Sequence, residues 1–384
     1  MKFLSMIMRE LRKGAFNPPQ TNPWPPAIYY LPRNYGGEPY DMPLIGLETR
    51  GCSWFLSGGC TMCNFGGQGS YVSPYFLIAQ ASFGLKVCRG RPYLQIAPMG
   101  SFFDPNEVPL VARNNILSLV RNSGYVKSFE TEARVDHVRE EDIKISMEIL
   151  NDIELAIGVG LESSNSIVRE LIVNKGTRQE LYLNFFELSK KIGFLSNAHV
   201  LLKPAFLTER EAVEDAISSI RWVIDNGGTY AILMTSNLRK FTLNYWLWER
   251  GLYKLPMLWS LLEVLRRLDS SYRKRVVLAG FLSNETLLKT AENCSKCTNY
   301  IMSKIKMFQY TRDENFLKEA WDHECDCKEE WRRRMEEDKG DLLDRIIFGY
   351  KYISEQILGK RWWEENRKWV EKEVEEVINT GRSN

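Results

Sequence analysis

Three closely spaced cysteines, Cys52, Cys60 and Cys63, are the residues of this chain most able to carry out chemistry. Three nearby thiolates can hold three irons of a [4Fe-4S] cluster and leave the fourth iron open. An open iron can bind the amino and carboxylate groups of a methionine moiety, and one-electron reduction then breaks a sulfonium C–S bond and releases a carbon radical. The alternatives are a zinc knuckle with a fourth ligand from elsewhere, or inert thiols. The position directly after the first strand of a predicted parallel sheet favours the cluster.

A second group of four cysteines lies toward the end of the chain: Cys294, Cys297, Cys325 and Cys327. Two close pairs with a long gap between them fit a closed, tetrahedral zinc site with a structural role. His323 is an alternative to one of the sulfurs, and a second iron–sulfur cluster is the rival interpretation. The remaining cysteine, Cys88, is predicted to be a small core residue.

Polar or glycine residues at other strand ends are candidates for binding a cofactor. They are Ser101, Glu132, Arg134, Gly160, Glu162 and Ser163. One residue separates Glu132 from Arg134, so both point to the same face of an extended chain. Together these groups could bind a ribose and an ammonium or carboxylate group, although a glycine in a buried strand often serves only close packing.

The elements that must position these side chains follow from the hydrophobic pattern. Strand-like runs alternate with helical patterns between about residues 43 and 280. The runs are 43–49, 93–100, 127–133, 153–162, 198–205 and 228–234. The alternation predicts an α/β fold with a parallel sheet, open or closed into a barrel. In such folds the chemistry lies at the carboxyl ends of the strands, where the candidate residues are found.

Four parts of the chain are predicted. Residues 1–42 are rich in proline, which disfavours a long helix or a central strand and predicts an extended arm on the surface. Residues 43–285 form the barrel and residues 286–335 a metal-binding module with four cysteines. Residues 336–384 form a charged helical tail that docks through its tryptophans.

Composition excludes several classes of protein. A chain of 384 residues, 44% hydrophobic and 26% charged, suits a large catalytic domain with appendages and not a disordered, collagenous or coiled-coil protein. The net charge of +2 gives no global signal for nucleic acid or membrane, so any basic surface must be local. No apolar run is long enough for a spanning helix or a signal peptide, which predicts a cytoplasmic protein with reduced thiols.

Several motifs together resemble the radical-SAM archaeosine synthases of archaea. They are RGCSWFLSGGCTMC, APMGSFFDPNEVP, ETEARVDHV, GLESSN, NKGT, LLKPAFLTEREAVEDA and the CxxC–CxC ending. The resemblance covers roughly residues 24–331. It implies a partial (β/α)6 barrel of the radical-SAM type, a [4Fe-4S] cluster on the first three cysteines, and S-adenosylmethionine beside Glu132, Arg134, Gly160 and Glu162.

The resemblance also implies a reaction and its partners. A lysine-transferring enzyme first attaches lysine, through its side-chain nitrogen, to a cyano-deazaguanine base in the D-arm of tRNA. The synthase, a lyase fed by an electron donor, then breaks a C–N bond and leaves the formamidine group of archaeosine. Val135 and Asn64 stand where the family usually has proline and glycine, which leaves room for a paralogue with another substrate.

Cationic residues are candidates for two further roles. Lys175, Lys203 and Arg239 could bind the lysine carboxylate, with a solvated surface role as the simpler interpretation of each. The tRNA phosphates need a local basic surface. Candidates are the basic clusters in 266–275, 332–334 and 360–369, in the last of which tryptophans could stack on splayed bases or simply pack.

Two other functions remain open on sequence grounds. One is a radical-SAM paralogue acting on a small molecule or a peptide. The other is a non-enzymatic zinc-binding RNA module in which both cysteine groups are structural. A brown colour under anaerobic conditions would distinguish the iron–sulfur enzyme from a colourless zinc protein.

Overall fold

A computed structural model describes residues 2–13, 24–35, 37–69, 71–279 and 288–382. An eight-stranded sheet forms its centre, with the strands side by side in chain order. The strands are β1 (Ile28–Tyr35), β2 (Glu38–Gly46), β3 (Tyr93–Ala97), β4 (Ser128–Ala133), β5 (Glu154–Glu162), β6 (Leu195–Leu202), β7 (Tyr230–Thr235) and β8 (Val276–Ala279). β1 is antiparallel to β2, and every neighbouring pair from β2 to β8 is parallel.

Helices cover the outside of this sheet. In the described residues they are α1 (Lys2–Leu11), α2 (Ser53–Leu56), α3 (Pro74–Val87), α4 (Leu110–Asn122), α5 (Glu140–Leu150), α6 (Gln179–Ile192), α7 (Glu209–Asp225), α8 (Leu243–Glu249), α9 (Leu258–Arg267), α10 (Ser270–Arg273), α11 (Thr298–Thr311), α12 (Asn315–Asp322), α13 (Asp326–Glu336), α14 (Leu342–Ile357) and α15 (Lys360–Arg382). A π-helical turn, Ile167–Ile172, follows β5. A capping box begins α7, where Thr208 and Glu211 bond each other's backbone N–H.

The predicted α/β class and partial barrel are confirmed. The six strand-like runs of the sequence correspond to β2 through β7, and the structure adds β1 and β8 at the two edges. β1 contains Pro32, which has no N–H to donate, and an edge strand tolerates this because one side of it needs no partner. The carboxyl ends of β2–β7 meet at one edge of the sheet, called the barrel mouth below.

The N-terminal segment is not wholly the extended arm predicted for residues 1–42. Within its described part, α1 is a helix and β1 an edge strand. The prolines begin only at residue 18, and the first turns carry an apolar stripe at helical spacing. The stripe is fully buried and consists of Phe3, Leu4, Ile7 and Met8. Residues 14–23, with three of the prolines, lie outside the described residues.

α1 docks against the C-terminal helices. The ring centroids of Phe3 and Tyr350 on α14 are 4.8 Å apart. The carboxylate of Glu373 on α15 accepts hydrogen bonds from the backbone N–H groups of Lys2 and Phe3, where a helix N-terminus favours negative charge. The buried apolar residues form one continuous core from α1 through the barrel to α15.

The division into four domains remains a prediction. The boundary predicted at residue 285 lies outside the described residues. Cys88 is buried in the core, as expected. Among the described helices, none is both long and apolar enough to span a membrane.

Candidate functional site

The three-cysteine loop lies at the barrel mouth, directly after β2. Its thiols are free: Cys60 is buried, and Cys52 and Cys63 are partly exposed. Gly100, which follows β3, packs against the loop so tightly that a Cβ there would lie 2.5 Å from the Cβ of Cys52. Burial raises the pKa of Cys60 to about 12, so the thiol keeps its proton until a metal replaces it.

Arg12, directly after α1, holds this loop from one side. Its guanidinium donates to the backbone carbonyls of Phe55 (3.2 Å), Cys60 (3.1 Å) and Cys63 (2.7 Å), and also to that of Gly58. The guanidinium carbon lies 3.8 Å from the centroid of the Phe55 ring. The side chain is 2% exposed, and burial lowers the pKa of Arg12 to about 10, so it remains charged at neutral pH. The buried guanidinium of Arg12 therefore holds the part of the loop that carries Cys60 and Cys63.

The segment after β5 holds the same loop from the other side. Thr61 donates through its N–H to Val173 (2.9 Å) and through its hydroxyl to Ile172 (2.7 Å). The Asn174 amide donates to the Gly59 carbonyl (2.9 Å), and the Asn174 carbonyl accepts from the Trp54 indole (2.9 Å). These bonds hold the loop in a fixed conformation before any metal arrives, which is the preorganisation a metal site needs.

We predict that Arg12→Met destabilises the three-cysteine loop much more than Arg9→Met, three residues earlier on α1. The substitution leaves buried carbonyls without donors and removes a charged donor, at a cost of about 3 kcal/mol or more in the free energy of unfolding. Arg9 is exposed and bonds only the Ser5 carbonyl of its own helix in the contacts described. Thermal unfolding of the metal-free protein and the iron bound per chain after reconstitution are the measurements. Equal melting temperatures and equal iron in the two variants would contradict the assigned role.

Glu132, at the end of β4, faces the interior of the barrel. Its Oε1 accepts a hydrogen bond from the Gln95 amide (3.0 Å) and lies 3.9 Å from Nε2 of His199 on β6. Gly158 on β5 makes room for this group, because a Cβ there would lie 3.0 Å from the His199 ring. A partly exposed carboxylate and an imidazole therefore line the interior just below the mouth.

Arg134 lies closer to the cysteine loop. Its guanidinium donates to the Lys175 carbonyl (3.3 Å) and to Asp136 (2.9 Å), and it lies 5.2 Å from the Trp54 ring. Its backbone N–H donates to the hydroxyl of Ser101 (3.2 Å). Ser101 and Arg134 are thus brought together by the ends of β3 and β4, as neighbouring parallel strands require.

The end of β5 carries a buried ion pair. Oε1 of Glu162 lies 2.9 Å from Nζ of Lys175, and both residues are buried. Burial by itself lowers the pKa of Lys175, but the charges of Glu162, Cys60 and Tyr182 together outweigh it and raise that pKa above its ordinary value. Gly160 leaves the space for this pair, since a Cβ there would lie 2.2 Å from Nζ.

The second carboxylate oxygen of Glu162, Oε2, is buried and accepts no hydrogen bond from the described residues. Glu162 also has a φ of +67°, next to an irregularity in the β5–β6 register. A non-glycine residue held in this conformation, with an unsatisfied buried oxygen, is typical of a ligand-binding position.

Ser163 is placed differently from the other candidates. Its hydroxyl donates to Asp215 of α7 (2.7 Å) and accepts from the N–H of Asn165 (3.0 Å). Burial raises the pKa of Asp215 to about 7. Ser163 remains a predicted cofactor contact, although its hydroxyl here joins the loop after β5 to α7.

Sequence reasoning missed four residues of this region: Arg12, Glu107, Asn174 and His199. Glu107 joins the loop before Cys52 to the loop after β3, because it accepts from Thr49 (2.7 Å) and from the N–H of Ser101 (2.7 Å). His199 could have been found, since every second residue of a barrel strand faces the interior. The sequence offers no signal for the Arg12 contacts, which join positions more than 40 residues apart.

The second cysteine group forms a compact four-sulfur site. The Sγ–Sγ distances are 3.7 Å for Cys294–Cys297, 3.3 Å for Cys294–Cys325, 3.4 Å for Cys297–Cys327 and 3.5 Å for Cys325–Cys327. Four thiolates around one zinc ion at 2.3 Å lie about 3.8 Å apart. His323 instead packs its ring on Tyr300, with centroids 4.6 Å apart. The arrangement can bind a metal ion with four sulfurs.

Half of the basic residues predicted to contact RNA are paired with acidic neighbours. Arg332 and Arg334 bond Glu329 and Glu330 of their own helix. On α15, Arg361 and Arg367 bond the acidic residues four positions later. In 266–275, Arg266 and Arg273 bond Glu263 and Glu314. These pairs reduce the positive charge that the clusters offer to phosphates but do not remove it.

The three candidates for the lysine carboxylate lie in different surroundings. Lys175 pairs with Glu162, and Nζ of Lys203 bonds the Lys254 carbonyl (2.6 Å) and lies 3.3 Å from Glu209. Arg239 lies at the mouth, with its guanidinium carbon 4.1 Å from the centroid of the Phe65 ring.

Comparison with known proteins gives two relatives that are named archaeosine synthase subunit beta. No protein-family model matches the chain. The chain is 30% identical over 296 residues to archaeosine synthase subunit beta of Methanosarcina acetivorans, covering 75% of this chain and 83% of that protein. It is 28% identical over 318 residues to archaeosine synthase subunit beta of Thermococcus kodakarensis, covering 81% of this chain and 96% of that protein.

Among solved structures, the chain is similar to Elp3 of Methanocaldococcus infernus, with 14% identity, a TM-score of 0.45 and coverage of 62% of each chain. It is also similar to TsrM of Kitasatospora setae, a radical S-adenosylmethionine methyltransferase. There the identity is 12% and the TM-score 0.44, over 78% of this chain and 62% of that one.

Proposed function

Because this chain belongs to the archaeosine synthase subunit beta family, we propose that it is a radical S-adenosylmethionine enzyme of tRNA modification. In this proposal it cleaves the lysine–amidine adduct of 7-deazaguanine at a C–N bond, as a lyase, and so forms archaeosine. The observation that carries the proposal is the three-cysteine loop at the barrel mouth, beside the buried Glu162–Lys175 pair.

The donor set of this loop suits a [4Fe-4S] cluster better than a single zinc ion. Among the described residues, only the four sulfur atoms of the second cysteine group all lie within 4.8 Å of one another. The three thiols of the mouth are spaced more widely, as a cluster of several atoms requires. Cys52, Cys60 and Cys63 would each bind one iron and leave the fourth to S-adenosylmethionine.

The cluster and S-adenosylmethionine, when bound, supply a carbon radical. The residues of this chain would hold and orient the cofactor. Oε2 of Glu162 would accept the hydrogen bond it lacks from a ribose hydroxyl or from the ammonium group. Arg134 and Lys175 provide two cations beside the cysteine loop, and a methionine carboxylate needs such a partner. Ser101, Gly160 and Ser163 would shape the surrounding pocket.

The substrate would enter from the mouth. Glu132 in the barrel interior is the anion best placed for a cationic amidine or lysine ammonium group, with His199 beside it as a proton donor or acceptor. Arg239 at the rim is the candidate for the lysine carboxylate, because its guanidinium is held in place by Phe65 and Asn237. The hydrogen would be taken from the lysine methylene next to the amidine nitrogen.

The expected partners follow from this chemistry. They are the tRNA that carries lysine-modified deazaguanine, the enzyme that transfers the lysine, and an electron donor for the cluster. The second cysteine group would hold a structural zinc ion. With tRNA as the substrate, the cytoplasm is the expected compartment.

We predict that reduced, cluster-loaded protein converts lysine-modified tRNA to archaeosine-containing tRNA. Deuterium on the methylene next to the amidine nitrogen should appear in 5′-deoxyadenosine, as measured by mass spectrometry of the nucleosides and of the released cofactor. The same tRNA without the lysine is the control and should give neither product. Cofactor cleavage with no change to the modified tRNA would contradict the proposal and favour a paralogue that acts on a small molecule or a peptide.

A further inference from the structure

Three segments that form the rim of the barrel mouth contain no aspartate or glutamate. They are residues 24–31, 49–77 and 235–248, of which the structure describes all but residue 70, in a chain with 49 acidic residues among 384. At that average density about one residue in eight would be acidic. The segments carry Arg50, Arg239 and Lys240, so the rim is positive even though the chain is nearly neutral.

The middle segment, 49–77, contacts both of the others. The N–H of Gly46 donates to the Ala27 carbonyl (2.8 Å), which places the first segment at the carboxyl end of β2, and the ring centroids of Trp24 and Phe76 are 6.0 Å apart. The Asn64 amide donates to the Lys240 carbonyl (3.2 Å), and the N–H of Leu243 donates to the Thr61 carbonyl (2.8 Å). The acid-free rim is thus one continuous surface around the cysteine loop.

This rim also carries most of the exposed aromatic side chains. Eight of the eleven exposed aromatic residues in the described part of the chain lie in these three segments: Trp24, Tyr29, Tyr30, Phe65, Tyr71, Tyr75, Phe241 and Trp248. Tyr71 and Tyr75 are 84% and 78% exposed, which is more than any other large hydrophobic side chain described. Aromatic rings left in water in such a concentration mark a binding surface.

We propose that the acid-free rim binds unpaired nucleotides of the RNA substrate by stacking, with Tyr71 and Tyr75 as the principal stacking residues. This inference rests on the proposed function, because a base that reacts at the mouth must first leave its helix and expose its neighbours. Aromatic faces stack on any base, and a surface without carboxylates does not repel phosphates. In the basic clusters of α13 and α15, by contrast, Arg332, Arg334, Arg361 and Arg367 are paired with acidic residues of their own helices.

The test is RNA binding by the full-length protein, measured by fluorescence anisotropy with an unmodified tRNA transcript as the probe. The double variant Tyr71→Leu/Tyr75→Leu keeps apolar surface but removes the rings, and should weaken binding roughly tenfold for each stacked base lost. The double variant Tyr71→Phe/Tyr75→Phe should bind like the wild type. The matched control is Phe348→Leu on α14, an exposed aromatic residue outside the rim, which should leave affinity unchanged.

The result that overturns the inference is equal affinity in the leucine and phenylalanine double variants. A wild-type chain that binds no RNA also overturns it, and leaves a protein partner as the occupant of the rim. Binding of the transcript needs neither the cluster nor the lysine. If RNA binding depends on the two tyrosine rings but no archaeosine forms, the proposed reaction is rejected and the role of the rim stands. If the leucine double variant converts the tRNA fully with an unchanged KM, the role of the rim is rejected and the proposed reaction stands.

Discussion

Cys60→Ala should lose the iron–sulfur absorption of anaerobically reconstituted protein and reduce archaeosine formation to background. Two thiolates cannot hold the cluster with a single open iron, so the radical chemistry has no source. Cys60 is also the most buried of the three cysteines. Loss of its sulfur leaves a gap in the loop that Arg12 and Asn174 hold from its two sides. The measurements are the visible spectrum, iron and inorganic sulfide per chain, and nucleoside analysis of lysine-modified tRNA.

The chain offers a matched control in Cys88. This cysteine is at least as buried as Cys60 but lies at the C-terminal end of α3, away from the cysteine loop, so Cys88→Ala should cost some stability and keep both iron and activity. The control separates the loss of a ligand from the loss of a buried side chain. A Cys60→Ala protein that retains inorganic sulfide and full activity would remove the basis of the proposed function.

The arrangement of the barrel could be predicted because it depends on local patterns. Six apolar runs alternate with helical segments, and all six occur as neighbouring strands in chain order. Since parallel strands place their carboxyl ends at one edge, the sequence also predicted that Ser101, Glu132, Arg134, Gly160 and Glu162 would approach the three-cysteine loop. In the structure, Ser101 contacts Arg134, and the Glu162 carboxylate fills the space beside Gly160.

The contacts that hold the cysteine loop could not be predicted, because they are tertiary. Arg12 bonds carbonyls more than 40 residues away, and Asn174 bonds Gly59 across the mouth. Backbone carbonyls have no side-chain signature, so no residue type in the loop indicates that a guanidinium will bind there. The helix α1 itself was missed for another reason: the prolines of residues 18–43 outweighed the apolar stripe of the first eleven residues.

The RNA contacts of the basic clusters remain a prediction, but the sequence already indicates that part of their charge is paired. Arg332, Arg361 and Arg367 each have a glutamate three or four positions away on the same helix, which is the spacing at which helical side chains meet. Such pairs neutralise one another at the surface. The net charge of a cluster must therefore be counted together with the acidic residues at that spacing. The cations of the acid-free rim keep their charge because its segments contain no acidic residue.

Cys297→Ser should remove the metal from the second cysteine group and lower the melting temperature by many degrees. A four-thiolate zinc site contributes about 10–16 kcal/mol of apparent binding free energy, which is lost from folding when the ion cannot bind. The loss should spread into the barrel, because the Trp331 indole donates to Ser260 (2.8 Å) and Ser260 donates to Glu209 (2.6 Å).

His323→Ala is the matched control for that variant. His323 lies two residues before Cys325 and packs on Tyr300, so its loss should leave one metal ion per chain and nearly the same melting temperature. Elemental analysis gives the identity of the ion: zinc at one per chain supports the structural site, whereas extra iron and sulfide would assign a second cluster. Loss of the ion in His323→Ala would contradict the four-sulfur assignment.

The series of contacts from Trp331 through Ser260 to Glu209 ends at Lys203 after β6, whose Nζ lies 3.3 Å from Glu209. Cys297→Ser should therefore also lower activity while the three-cysteine loop keeps its iron.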